Sequence, residues 1–88
     1  MINIFSRDFH SAKALAEKLR LRSPREFKYI SDAVDIHQLP PGSTVLFWGD
    51  WQHHPNAQMA QSYLLAKNCF LLTVTDELMR NYHNGNNA

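Results

Sequence analysis

Four short runs rich in aliphatic, aromatic and β-branched residues recur along the chain, at 1–5 (MINIF), 27–30 (FKYI), 44–48 (TVLFW) and 70–74 (FLLTV). Runs of this length and composition predict strands, and the uncharged runs at 44–48 and 70–74 read as strands buried on both faces. Between them the apolar spacing changes to helical. Phe9, Ala12, Leu15, Ala16 and Leu19 recur every three or four residues after Ser6 or Asp8, either of which can cap a helix that ends before Pro24. Ser31 and Asp32 offer cap chemistry for a brief turn through Ala33, Val34, Ile36 and Leu39, stopped by Pro40, Pro41 and Gly42.

The third strand ends at Gly49. A polar link leads to Pro55, which suits a first helical position because its missing N–H would be unbonded there. The helix it opens carries Ala57, Ala60, Tyr63, Leu64 and Lys67 along one stripe, and Asn68 can close it in the left-handed conformation. Thr75, followed by Asp76 and Glu77, starts a last helix through Leu78, Met79 and Tyr82. Strands that alternate with helices need right-handed crossovers, which predicts an α/β fold of Rossmann or flavodoxin type. Its small parallel sheet has the order 2-1-3-4. The first and last helices lie on one face and the second and third on the other.

With 88 residues there is room for one domain, expected at 1–83, with 84–88 (NGNNA) as a loose tail. Hydrophobic residues make up 44% and charged residues 19%, proportions of a folded soluble chain rather than a disordered one. No apolar run is long enough to cross a bilayer and the start does not read as a signal peptide, so the expected setting is the cytoplasm with no membrane contact. Cys69 is the only cysteine, which excludes an internal disulfide and a cysteine-based zinc site and favours a buried thiol.

The net charge of +1 hides an asymmetry. Residues 1–28 hold seven Lys or Arg against three acids, while residues 29–88 hold two against five. Most of the excess forms a basic rim of Lys18, Arg20, Arg22, Arg25 and Lys28, able to meet phosphates or an acidic protein surface. It lacks aromatic interleaving and any nucleic-acid motif.

In the predicted fold the carboxyl ends of the strands gather Ser6, Arg7, Asp8, Ser31, Asp32, Asp50, Trp51, His53, His54, Thr75 and Asp76 at the edge where such sheets place their sites. Helix N-termini also attract Asp, Ser and Thr for capping alone. His53 and His54 beside Asp50 could transfer a proton or bind a metal, but the spacing matches no ligand motif, so neither a metal nor a cofactor is assigned. Trp48 continues a buried strand. Trp51 lies in the loop, where an indole either anchors a contact or lids the core. SRDFHS follows the first strand where a glycine-rich phosphate loop would stand, so the dinucleotide and Walker fingerprints are absent.

The segment 54–68 (HPNAQMAQSYLLAKN) resembles the strand-loop-helix of nucleoside 2-deoxyribosyltransferase-like proteins. His54 stands at that family's Ser, Asn56 at its Gly, Ala57 at its Ala, Asn68 at its helix-ending Gly and Ala60 at its catalytic Glu. The resemblance implies the fold and a nucleotide-shaped pocket. It does not imply the reaction, since a covalent glycosyl intermediate needs an anionic oxygen that Ala60 lacks. A second likeness is to response-regulator receivers, with Asp8, Asp50 and Thr75 at matching places but no fifth strand with its Lys and no paired acids after strand one.

No complete set of nucleophile, base and oxyanion donors assembles. The expected function is therefore a non-catalytic binding module whose partner is a protein. Arg7, Asp8, Asp50, Trp51, His53 and His54, or the basic rim, would make the contact. The alternatives are a nucleotide-binding or degenerate nucleoside-processing protein and a nucleic-acid-binding accessory protein. An outer strand holding Phe70 and Leu71 also leaves an edge that a homodimer would cover.

Overall fold

A computed structural model describes residues 1–21 and 25–80. Its sheet has the order β2-β1-β3-β4 and every pair is parallel. The strands are β1 (Ile2–Ser6), β2 (Phe27–Tyr29), β3 (Thr44–Trp48) and β4 (Phe70–Val74), and the helices between them are α1 (Phe9–Lys18), α2 (Ala33–His37) and α3 (Ala57–Ala66). Residues 76–80 begin a last helix, α4. This is the expected α/β architecture. Arg22 and Pro24, together with Tyr82, His83 and the expected tail 84–88, lie outside the described residues.

Alternation along the strands divides the core into two layers. Phe5, Val45 and Phe47 face α2 and α3, where they meet Ile36, Leu39, Ala57, Ala60 and Leu64. Ile4, Trp48 and Val74 face the other way, against Ala12, Leu15 and Ala16 of α1 and Met79 of α4. The pairs Ile4↔Leu46 and Phe5↔Phe47 bind the two central strands, with the Phe5 and Phe47 rings 5.0 Å apart.

Local chemistry fixes the helix ends. The Asp8 carboxylate accepts from the Ser11 N–H at 2.8 Å, Asp32 from the Asp35 N–H at 2.9 Å, and the Thr75 hydroxyl from the Leu78 N–H at 3.1 Å. At its C-terminus α1 closes with Arg20 N–H on the Glu17 carbonyl and Leu21 N–H on that of Ala16, with Arg20 left-handed at φ 62°. α3 closes in the same way, through Asn68 on Leu65 and Cys69 on Leu64, with Asn68 at φ 59° as its sequence predicts. Cys69 is buried as a free thiol.

Four details differ from expectation. Pro55 precedes α3 rather than opening it, because Asn56 is the N-cap and the first helical residue is Ala57. Tyr63 is exposed, since the contact stripe of α3 is the narrower set Ala57, Ala60 and Leu64. Phe9 is exposed too, at the first position of α1, with its ring stacked 6.3 Å from Phe27 and edge-on to Tyr29 at 6.0 Å. β4 is not covered on both faces. Its Leu71 packs toward α3, but Phe70 is 65% and Leu72 48% exposed, because α1 lies over the middle of the sheet rather than its edge.

Candidate functional site

Between β1 and β3 the chain reverses its direction of travel across the sheet, the point where parallel α/β sheets open a crevice at their carboxyl ends. Most of the residues expected there from sequence stand there, and their own backbone engages many of their polar groups. Ser6 is fully buried and its hydroxyl donates to the Asp8 carbonyl at 2.7 Å. The bond from the Ser11 N–H is the main reason that the Asp8 carboxyl lies below its ordinary pKa, with the Ser11 hydroxyl and Arg7 adding to it. Arg7 Nε lies 3.4 Å from the Asp8 carboxylate, but both side chains are about half-exposed, a setting in which such pairs contribute little.

On the β2 side, Ser31 donates to the Asp35 carboxylate through both its N–H, at 2.9 Å, and its hydroxyl, at 3.1 Å. Burial works to raise the pKa of Asp35, and these bonds with the Asp32 backbone and Lys28 outweigh it, so the carboxyl is held low. Tyr29 donates its hydroxyl to the Ser6 carbonyl at 3.4 Å, and burial, followed by the charges of Asp8 and Asp35, raises its pKa.

After β3, Gly49 adopts a left-handed φ of 63°, which turns the chain sharply into a 3-10 turn at Trp51–His53. Trp51 is half-buried with its indole edge-on to Phe47 at 4.9 Å, so of its two expected roles the lid on the core is the one with contacts to describe. The ring of His54 lies 4.8 Å from that of Phe5, and its Nδ1 accepts the Asn56 N–H at 2.9 Å. That acceptance leaves the proton of the neutral ring on Nε2, and desolvation lowers the pKa of His54. Asn56 in turn donates its Nδ2 to the Ser31 carbonyl at 3.0 Å, tying the loop after β3 to the loop after β2. Asp50 and His53 are exposed.

Beside this loop lies an open depression of about 490 Å³, lined by Trp51, Gln52, His54, Pro55, Gln58 and Gln61 among others, none of them acidic. It offers one imidazole, an indole and carboxamides, which can stack on and hydrogen-bond a flat polar molecule but do not form an acid–base pair. Ala60 is 1% exposed within the α3-side core, so the place of the resembled family's Glu holds no ionisable group. Among the described residues no group of three or more His, Cys, Asp and Glu side chains is placed to hold a metal ion, and no helix is long and apolar enough to cross a membrane.

The basic residues do not share one surface. Lys18 lies over the Trp48 indole at 5.8 Å in the α1 layer, while Lys28 donates to Gln38 at 2.9 Å on the opposite side of the sheet. Arg20 and Arg25 are exposed, and Arg22 lies outside the described residues.

A further feature shows up only through the strand order. Phe70 N–H donates to the Ser43 carbonyl at 2.8 Å, so residues 70, 72 and 74 turn their main chain toward β3. Leu71 and Thr73 turn their N–H and C=O outward, where no partner meets them among the described residues. Comparison with protein-family models, curated proteins and solved structures finds no match.

Proposed function

We propose that this protein is a non-catalytic binding module that acts through protein contact, with the β4 edge as its contact surface. The observation that carries this reading is the pairing of two features on one strand. Among the described residues, Leu71 and Thr73 have main-chain donors and acceptors that meet no partner, and Phe70 and Leu72 present apolar side chains beside them. An extended protein segment that adds as a further strand satisfies both at once, the main chain supplying affinity and the apolar face selectivity. The single buried thiol favours a cytoplasmic setting.

Affinity capture from the native host with the wild-type chain and with Leu72→Lys as baits tests it. The reading holds if proteins retained by the wild type are lost from the variant. It falls if both retain the same set or neither retains any.

One observation favours a second reading, nucleotide binding. The depression at Trp51 and His54 adjoins the β1/β3 crevice and offers a stacking surface with hydrogen-bonding neighbours. A ligand that binds only the folded form raises the melting temperature, so a nucleoside and nucleotide panel that leaves it unmoved removes this reading.

A further inference from the structure

We infer that the segment which adds to the β4 edge is the β4 of a second copy of this chain, paired antiparallel about a two-fold axis through Leu72. This rests on the proposed role of the edge in protein contact and names its partner. The register follows from which main-chain groups are free among the described residues. Antiparallel strands bond where outward-turned residues stand opposite one another. With Leu72 on the axis, Leu71 of each copy faces Thr73 of the other, and both pairs exchange their two N–H···O=C bonds.

The neighbouring registers are poorer. Sliding the copies one way sets Thr73 against Cys69, whose N–H already donates to the Leu64 carbonyl at 3.0 Å. Sliding them the other way sets Leu71 against Thr75, whose carbonyl already accepts from Met79 at 3.0 Å. Only the central register leaves all the outward groups of Leu71 and Thr73 with free counterparts.

The side chains agree with it. Phe70, Leu72 and Val74 share the α1 face, so Leu72 meets its own symmetry mate and Phe70 lies across from Val74 of the second copy. The arrangement is also closed. Once the two β4 edges are joined, the remaining edges are β2 strands of three residues that carry Lys28, and short, lysine-bearing edges resist further addition.

Sedimentation equilibrium of the full chain over rising concentration tests the pairing. The expected mass climbs from 10.2 kDa toward twice that value, while Leu72→Lys, checked as folded by circular dichroism, stays at the lower mass. Cysteine substitutions test the register. Leu72→Cys crosslinks between copies under mild oxidation an order of magnitude faster than Phe70→Cys, although Phe70 is the more exposed position.

A wild type that remains monomeric throughout overturns the self-pairing. If Leu72→Lys nevertheless abolishes capture of another protein, the contact role of the edge survives and only its partner was wrong. A dimer that persists in Leu72→Lys, or equal crosslinking at the two positions, overturns the inference as well.

Discussion

The carboxyl-end rim and the β4 edge differ in what the fold leaves unused. At the rim, the Asp8 carboxylate holds the Ser11 N–H, Asp35 holds both donors of Ser31, and His54 and Asn56 tie the Trp51 loop to the backbone around them. Asp8, Asp35, His54 and Asn56 act there as caps and braces, while Asp50 and His53 stay exposed. At β4 the residues are plain, Phe-Leu-Leu-Thr-Val, and the capacity left free among the described residues belongs to the main chain of Leu71 and Thr73. Residue type therefore marks where a fold needs satisfying, and strand order marks where it stays unsatisfied. If so, rim substitutions should change stability and leave association alone, and edge substitutions should do the reverse.

The largest effect expected at the rim is from Trp51→Ala. A fully buried aromatic truncated to alanine costs about 3–5 kcal/mol, and for a half-buried indole against Phe47 the figure is about 2 kcal/mol, read by chemical denaturation. Self-association should persist in the folded fraction. An unchanged denaturation midpoint with lost association would invert the comparison and make Trp51 the contact residue.

Asp8→Ala should come next, at about 1 kcal/mol for a lost N-cap, or a melting temperature lowered by about 4–8 °C in a domain of this size. Asp8→Ser separates capping from carboxylate chemistry. A serine hydroxyl can take the Ser11 N–H, so it should restore most of the loss, whereas a role for the negative charge would leave Asp8→Ser as impaired as the alanine.

A smaller effect is expected from pH. Burial lowers the pKa of His54, so the unfolded chain, whose imidazole titrates near about 6.5, binds that proton more readily than the folded one. The contribution of His54 to stability is therefore complete above that value and is lost as pH falls through the folded pKa. The low-lying Asp8 and Asp35 carboxyls behave alike in a more acidic window, holding their contribution above the ordinary carboxylate range near about 4 and losing it below. His54→Asn keeps an acceptor for the Asn56 N–H without the titration. Melting curves across the histidine window should be flatter for this variant than for the wild type, and parallel curves would show that His54 is not desolvated by the fold.

Much of the architecture was legible in the sequence because it depends on local signals. Asp8, Thr75 and Asn68 cap the helices where their types suggest, and the uncharged run at Thr44–Trp48 lies at the centre of the sheet. Apart from the place of Pro55, the misreadings share a cause, which is that periodicity cannot say how wide a contact is. Tyr63 and Phe9 have core spacing, yet each lies just beyond the stripe that its helix buries. Phe70 and Leu72 likewise share the composition of a central strand, and only their place at the end of the order β2-β1-β3-β4 uncovers them. At the rim the residues were legible and their engagement was not. The bond between Asn56 and the Ser31 carbonyl joins positions 25 residues apart and has no trace in local pattern.

The smallest expected change in stability comes from Phe70→Thr, and it separates the two regions most sharply. Phe70 is 65% exposed, so truncating it removes little buried surface, and threonine, being β-branched, is well suited to a strand. Measured in dilute solution, where pairing between copies adds nothing, stability should stay within about 0.5 kcal/mol of the wild type. Association should nevertheless weaken, because the variant takes from each β4 the ring that lies across from Val74 of the second copy. A phenylalanine that folding scarcely needs and association does need is what an edge reserved for contact predicts. If Phe70→Thr instead destabilises the isolated chain as much as Asp8→Ala does, the ring belongs to the core, and the distinction between a rim that braces and an edge that binds fails at its most exposed residue.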